Sequence, residues 1–361
     1  MKYRETTLLG RTDLGEAGTK VIDINLLDPI SRIDICFEIR NWSAEWTAQL
    51  GSCLPKIELV DGSEVLFSMN GLEAQALNIY DRKVSTMNGD YYNAGNLIMG
   101  NYGIDFGRFL YDPELAFDPK QFRNPQLKLT WDEDAMMAVT GVNYMEVLAS
   151  VFDEKIISPI GFLMSKKHYA YTPTAADAYQ YIDLPTDHPI RKMLIRGFLE
   201  KTDPYKVVDE ARLSEDNDKR VVFDMNLQRH IQKMRGVWSP VIELWQEYGS
   251  PAVGIYDIFF TPTHELSFPA IIGRVTGSDP WVEDSMPGGY LSWRSGGGTY
   301  CQGMVIGYLP NHCIELPFGL PDEIDSWYDV QNKGSVQLRL LSAASFAGSV
   351  ISVILQQMRR Y

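Results

Sequence analysis

The chain has 361 residues, 45% of them hydrophobic, and a formal net charge of −14 from 47 acidic against 33 basic side chains. That is enough apolar material for one large core or two ordinary ones. The acidic balance excludes the folded body as a general phosphate binder, because such affinity comes from Lys and Arg releasing counterions; the pairs Lys166-Lys167 and Arg359-Arg360 are too short to form a basic patch, and no specific nucleic-acid binding is expected.

From the N-terminus, residues 1–19 are polar, with Gly10, Gly15 and Gly18, and read as an arm outside the core. They contain no apolar h-region, so no secretory signal is expected. Residues 20–26 form a first strand, and residues 33–39 alternate apolar and mostly polar side chains as a half-buried strand does. Residues 56–75 read as strand, tight turn at Asp61-Gly62, strand and the start of a helix that runs over 71–83, with Leu72, Ala76 and Ile79 on one side. Residues 84–124 read as a long irregular excursion, closed by alternating strands at 126–131 and 144–152. A second unit opens near residue 156, with strands at 190–200, 253–260, 271–275, 303–309, 336–341 and 350–355 and a helix at 227–235. The uncharged run 341–358 is long enough to raise the question of a membrane span, but it carries four Ser and two Gln, and its later half reads as a buried strand.

Residues 56–75 occur a second time at 212–231. Phe67 and Phe223, Met69 and Met225, Asn70 and Asn226 are each 156 apart (226 − 70), and Lys56/Arg212, Ile57/Leu213, Asp61/Asn217, Val65/Val221 and Leu66/Val222 keep the same spacing. The second turn is Asn217-Asp218, residue types that tolerate a left-handed backbone. Ile39/Ile195 and Arg40/Arg196 extend the repeat backwards, which implies duplication of a whole domain. Strands are many and helices minor, and 19 Tyr, 15 Phe and 8 Trp with 29 Gly and 19 Pro also favour β architecture. The expected fold is all-β: two tandem eight-stranded jelly-roll β-sandwiches, with short helices in the connections. The expected division is an arm at 1–19, a first sandwich at 20–155 and a second at 156–361.

Clusters that can carry chemistry are few. Trp131-Asp132-Glu133-Asp134 sets three carboxylates beside an aromatic ring, as glycosidases do. Adjacent strand residues point to opposite faces, however, so the cluster reads as an acidic turn rather than a dyad. Gly296-Gly297-Gly298-Thr299 lacks the Gly-Lys-Ser/Thr and the helix start of a phosphate loop. The four cysteines, Cys36, Cys53, Cys301 and Cys313, read as free, buried thiols in a reducing compartment, and Cys301, His312 and Cys313 match no common zinc spacing. His168, His188, His230, His264 and His312 are scattered, with no H-E-x-x-H or G-x-S-x-G motif. Tyr91 and Tyr92, with Tyr80 and Tyr102 nearby, read as a binding surface or as interface anchors. No catalytic, cofactor-binding or metal-ligating residue is assigned, and the chain is not expected to be an enzyme; a carbohydrate-binding or glycan-active tandem β-sandwich is the alternative.

The chain resembles the double jelly-roll major capsid proteins of tailless icosahedral viruses, especially bacteriophages. The resemblance rests on the repeated hairpin and helix, on 115–127 (LAFDP followed by FRNPQL), and on 312–319 (HCIELPFG) followed by Trp327-Tyr328-Asp329-Val330 and the closing strands; the region 236–300 has no counterpart in the first half. It implies a structural shell protein that forms homotrimers with pseudo-sixfold outline, located in the virion after assembly in the host cytoplasm. Its implied partners are itself, neighbouring capsomers, minor capsid or vertex proteins and an internal membrane, with the polar arm reaching beneath the trimer.

Overall fold

Alternation of side chains builds the first sandwich. In a computed structural model that describes residues 2–40, 47–85, 88–91, 97–136, 142–155, 157–248, 254–274, 281–286, 288–295, 300–344 and 347–361, the chain begins with strands β1 (Tyr3–Asp13), β2 (Ala17–Asp23), β3 (Ile30–Arg40), β4 (Lys56–Asp61) and β5 (Glu64–Met69). Helix α1 (Gly71–Arg82), the short β6 (Asp90–Tyr91), β7 (Leu97–Asp105), β8 (Pro125–Asp132) and β9 (Asn143–Phe152) follow. One sheet has the order β1-β9-β3-β7 and the other β2-β8-β4-β5. Ile33, Ile35, Phe37 and Ile39 of β3, with Met145, Val147 and Ala149 of β9, face Ile57, Leu59, Leu127 and Leu129 across the sandwich, all fully buried. Each of these Ile, Leu, Val, Phe and Met side chains contributes about 1.5–3 kcal/mol on leaving water.

The second half repeats this plan. It contains β10 (Gly161–Tyr171), β11 (Tyr179–Asp183), β12 (Ile190–Phe198), β13 (Val208–Glu215), β14 (Arg220–Asn226) and α2 (Leu227–Met234). An inserted block follows: β15 (Val241–Tyr248), β16 (Gly254–Phe259), β17 (Pro262–Arg274), β18 (Trp281–Met286), β19 (Tyr290–Ser295) and β20 (Tyr300–Pro310). The last strands are β21 (Cys313–Pro317), β22 (Val336–Ser342) and β23 (Val350–Arg360). The sheets are β10-β23-β12-β21 and β11-β22-β13-β14, which match the first sandwich strand for strand. The fold is therefore all-β, two tandem eight-stranded jelly-roll sandwiches with short helices in their connections.

The block at 241–310 explains why the region 236–300 has no sequence counterpart. It sits in the connection from α2 to β21, where the first sandwich has only the shorter stretch between α1 and β7. Both connections meet in one cap: the sheet β17-β20-β15-β6 includes β6 from the first sandwich, paired in parallel through Trp245 with Asp90 and Gln246 with Tyr91. The strands β16, β19 and β18 make a second small sheet.

The spacing of 156 holds only from β5 into the helices, where Asn70 and Asn226 are both N-caps. Leu59 lies opposite Phe67 and Leu213 opposite Phe223, so the first hairpin strands are 154 apart, 213 − 59. The difference is turn length: two residues, Gly62 and Ser63, in one hairpin and four, 216–219, in the other. Asp216, Asn217 and Asp218 take φ of 48°, 58° and 64° in succession, a left-handed run these residue types tolerate. Both hairpins skip one residue at the same place, Leu66 and Val222, as a bulge. At β3 and β12 the offset is 160, because Ile30 and Ile190 both precede a one-residue register shift and both bridge outward, to Phe117 and Tyr328. The same 160 relates Thr6 of β1 to Lys166 of β10, each followed by an irregularity two residues on. All three offsets are even, so inward and outward faces survive the shifts. The pairings expected at 156 for Lys56, Ile57, Asp61, Ile39 and Arg40 are displaced accordingly, and the counterpart of Arg196 is Cys36.

Two further expectations change. Residues 3–13, expected as an arm, form an edge strand on β9 from Tyr3 opposite Phe152 to Asp13 opposite Tyr144; backbone pairing holds a polar strand there although its side chains bury little. The excursion 84–124 contains β7, which pairs with β3 from Arg32 opposite Asp105 to Arg40 opposite Leu97; its Asn and Gly content hid the strand.

Candidate assembly surface

The two sandwiches are joined by a built interface. β5, the edge of one first-half sheet, pairs in parallel with β10, the edge of a second-half sheet, through Phe67 with Ser165 and Ser68 with Lys166. The result is one eight-stranded sheet that crosses the chain from β2 to β21. Helix α1 follows β5 at once. Asn70 Oδ1 accepts the Glu73 N–H at 2.8 Å while Glu73 Oε2 accepts the Asn70 N–H at 3.0 Å, a reciprocal cap. The helix ends at Lys83, left-handed with φ 53°. Every residue from Gly71 to Tyr80 is buried, polar ones included, because the helix has no wet face.

On one side α1 is held by its own sandwich. Asn78 Oδ1 accepts the Gly103 N–H at 2.7 Å, and the Arg82 guanidinium pairs with Asp105 at 2.9 Å and Asp34 at 3.0 Å. On the other side it lies on the outer face of β10-β23-β12-β21. The Tyr80 hydroxyl donates to the Cys313 carbonyl at 2.8 Å, and Asn311 Nδ2 donates to the Leu72 carbonyl at 2.9 Å. Glu73 pairs with Lys167 at 2.8 Å and Arg196 at 4.0 Å. Asp81 takes Arg191 at 2.6 Å, Lys192 at 2.8 Å and the Gln356 amide at 2.8 Å. Lys192 also pairs with Glu315, whose other oxygen accepts Trp238 Nε1 at 2.8 Å. Burial works against the Asp81 carboxylate, yet Lys192 and Arg191 outweigh it and hold its pKa well below the usual range. The apolar contacts agree: Leu194, Cys313 and Ile354, on the outer face of the second sandwich, belong to the core of the first.

Among the described residues, the duplicated elements are open. β14 and β1, the counterparts of β5 and β10, are both sheet edges. Phe67 is buried while Phe223 is half-buried, and Ser165 is buried while its counterpart Glu5 is exposed. Helix α2 buries Leu227, His230, Ile231 and Met234 against its own sandwich and exposes Gln228, Arg229, Gln232 and Lys233. On the outer face of β1-β9-β3-β7, Asp34, Cys36, Glu146 and Leu148 are partly exposed, whereas their counterparts Leu194, Arg196, Ser352 and Ile354 are buried. Burial, then the charges of Asp34, Glu146 and Glu38, raise the pKa of the Cys36 thiol, which marks this face as acidic.

The other sequence candidates do not converge. Trp131 is packed in the core with Nε1 donating to the Gly15 carbonyl at 3.1 Å. Glu133 is buried and accepts Asn143 Nδ2 at 2.9 Å, while Asp132 and Asp134 are exposed, so the acidic run is a turn. Tyr80 and Tyr102, read as surface residues, are core: Tyr102 points into the sandwich from β7, and Tyr80 lies at the joint. Tyr92 and the run 296–299 lie outside the described residues, as does the side chain of Cys301. His312 is buried, and that burial with the nearby Arg196 lowers its pKa to about 3; burial pushes Cys313 up to about 12. Among the described residues no three His, Cys, Asp or Glu side chains gather as metal ligands. A cavity of about 310 Å³ beside Tyr80 and Trp238 carries Asp81, Arg191, Lys192 and Glu315 on its walls, all paired with one another. Among the described residues no helix is long and apolar enough to cross a membrane, and the later half of the uncharged run 341–358 is strand β23. Sequence reading missed the buried acids Glu73 and Asp81; the signal was a helix with polar residues at 73, 75, 78 and 81, too evenly spread for one wet face.

The architecture defines a tandem double jelly-roll protein, the fold of double jelly-roll major capsid proteins. No family model matches the sequence, and no curated protein matches it. Among solved structures, the STIV MCP superposes with a TM-score of 0.63 at 10% identity, over 99% of this chain and 97% of that one. The major capsid protein from bacteriophage PM2 gives 0.56 at 10% identity, over 99% and 98%, and the PBCV-1 virus capsid gives 0.57 at 11%, over 99% and 93%. At such identities the likeness is one of fold.

Proposed function

We propose that this chain is the major capsid protein of a tailless icosahedral virus. It acts as a structural protein of the virion, not as an enzyme, and assembles in the host cytoplasm. The observation that carries the reading is the strand-for-strand duplication together with one joined and one open copy of the same interface. Three chains, each with two nearly equivalent sandwiches, close into a ring of six similar units, and heterologous contacts that close give a discrete block suited to tiling. The fold shared with capsid proteins over nearly the whole chain supports the same reading. The chain divides near residue 156, between β9 and β10, into units at 20–155 and 156–361, with β1 completing the first. Neighbouring capsomers, minor or vertex proteins and an underlying membrane are the partners this role implies. The test is the mass of the purified protein by light scattering: the reading expects three times the 40.9 kDa of the chain and hexagonal outlines in negative stain. A species that stays at the mass of one chain at every concentration contradicts it.

A further inference from the structure

We infer that the joint between neighbouring copies repeats the joint inside the chain with its charges reversed, Arg229 of one copy docking on the acidic face around Cys36 and Glu146 of the next. The inference rests on the trimeric reading above. Inside the chain, acidic Glu73 of α1 meets basic Lys167 and Arg196 on the outer face of the second sandwich. The helix caps place Arg229 where α1 has Glu73, 229 − 73 = 156. The strand registers place Cys36 where the second sandwich has Arg196, 196 − 36 = 160. Cys36 is flanked by Asp34 and Glu38 on its own strand and lies opposite Glu146 of β9. The helix residue has thus changed from acid to base, and on the face beneath it the bases Arg196 and Lys167 give way to Cys36 and Thr7 while Asp34, Glu38 and Glu146 bring in acid; Arg32, at the position of Lys192, is taken up by Asp105.

Two observations point to a second copy as the occupant. Among the described residues, Arg229 has no ion pair, and neither does Glu146, although Glu38 is engaged by Arg11 and Asp34 by Arg82. Among the described residues the edges that must meet are also left unpaired: by the same offsets, the Phe67–Ser165 and Ser68–Lys166 bridges become Phe223 with Glu5 and Asp224 with Thr6 of the next copy. An open edge beside a complementary charged face is a template for strand addition. The reversal also sets specificity. A basic α2 is repelled by the basic face that α1 already covers, so it cannot displace α1 from its own chain, and α1 is likewise repelled by the acidic face of another copy.

Charge exchange tests this directly. Arg229→Glu puts a carboxylate three residues after the Asn226 cap, the arrangement α1 already has in Asn70 and Glu73, so the folded chain tolerates it. Glu146→Arg introduces a cation between carboxylates on a partly exposed face. Each single variant is expected to weaken trimer formation by roughly tenfold or more, measured by sedimentation with folding checked by circular dichroism, and the double variant to regain most of the loss. A wild-type trimer that both single variants form undiminished, or a double variant no better than the singles, overturns the inference and leaves the trimer standing. A wild-type chain that is monomeric at every concentration removes the trimeric reading itself.

Discussion

The outer faces of the sheets β10-β23-β12-β21 and β1-β9-β3-β7 have equivalent strand orders and share the bulges after Lys167 and Thr7, yet among the described residues one is covered and the other open. On the covered face Lys192 and Arg196 are buried and every charge has a partner under α1. The open face carries Asp34, Cys36, Glu146 and Leu148 in partial contact with water. Duplicated elements diverge according to what lies on them: a face closed in the same chain can hold a buried ion network, because the covering helix is always present. A face that waits for another molecule must stay soluble until it arrives.

Asp81→Ala is expected to have the largest effect, on the covered face. That change leaves Arg191 and Lys192 buried with one acceptor fewer, and loss of one partner from a buried ionic cluster costs about 3–5 kcal/mol. Urea unfolding is expected to show that drop; a loss below about 1 kcal/mol means that α1 is not the clamp described. Acid titration sharpens the same region with a smaller effect. The folded-state pKa of His312 lies at about 3, below its usual value, so between pH 6.5 and 3 the unfolded chain binds the proton that the folded chain refuses. Stability from this group is therefore complete above about pH 6.5 and falls as the pH drops, by about 2 kcal/mol at pH 5. His230, lowered mainly by burial, acts in the same direction, so the contribution of His312 is isolated with His312→Asn, a residue that tolerates the left-handed φ of 65° there. That variant is expected to show a flatter stability profile below pH 6.5; an unchanged slope refutes the assignment. The smallest effect belongs to the open side. Arg229→Ala is expected to alter unfolding of the isolated chain by less than about 0.5 kcal/mol, since an exposed side chain without a partner contributes little.

Much of this architecture was legible in the sequence. The alternation of residues 33–39, the asparagine caps at 70 and 226 and the recurrence of Phe, Met and Asn at a fixed spacing are local signals, and they gave the strands, the helices and the duplication. The failures are also local in origin. A constant spacing of 156 was extended past a turn that differs by two residues, and even shifts leave the apolar pattern unchanged, so nothing in the pattern flagged the slip. β1 reads locally as an arm because a polar edge strand draws its order from backbone pairing with β9, a partner more than 130 residues away. Glu73 and Asp81 are hidden from sequence because an acid on a helix reads as a wet face until the basic residues of β10 and β12 are brought over it.

Hydrogen exchange on the wild-type protein reports on the two equivalent pairs of edge strands, β5 with β14 and β10 with β1, before and after assembly. In the single chain the amides of β5 and β10 are expected to be protected and those bordering the open edges of β14 and β1 to exchange quickly. On assembly, protection is expected to rise at β14 and β1, centred on Phe223, Asp224, Glu5 and Thr6. Assembled particles in which β14 and β1 still exchange as fast as in the single chain would contradict the account, because the open copy of the joint would then have remained open.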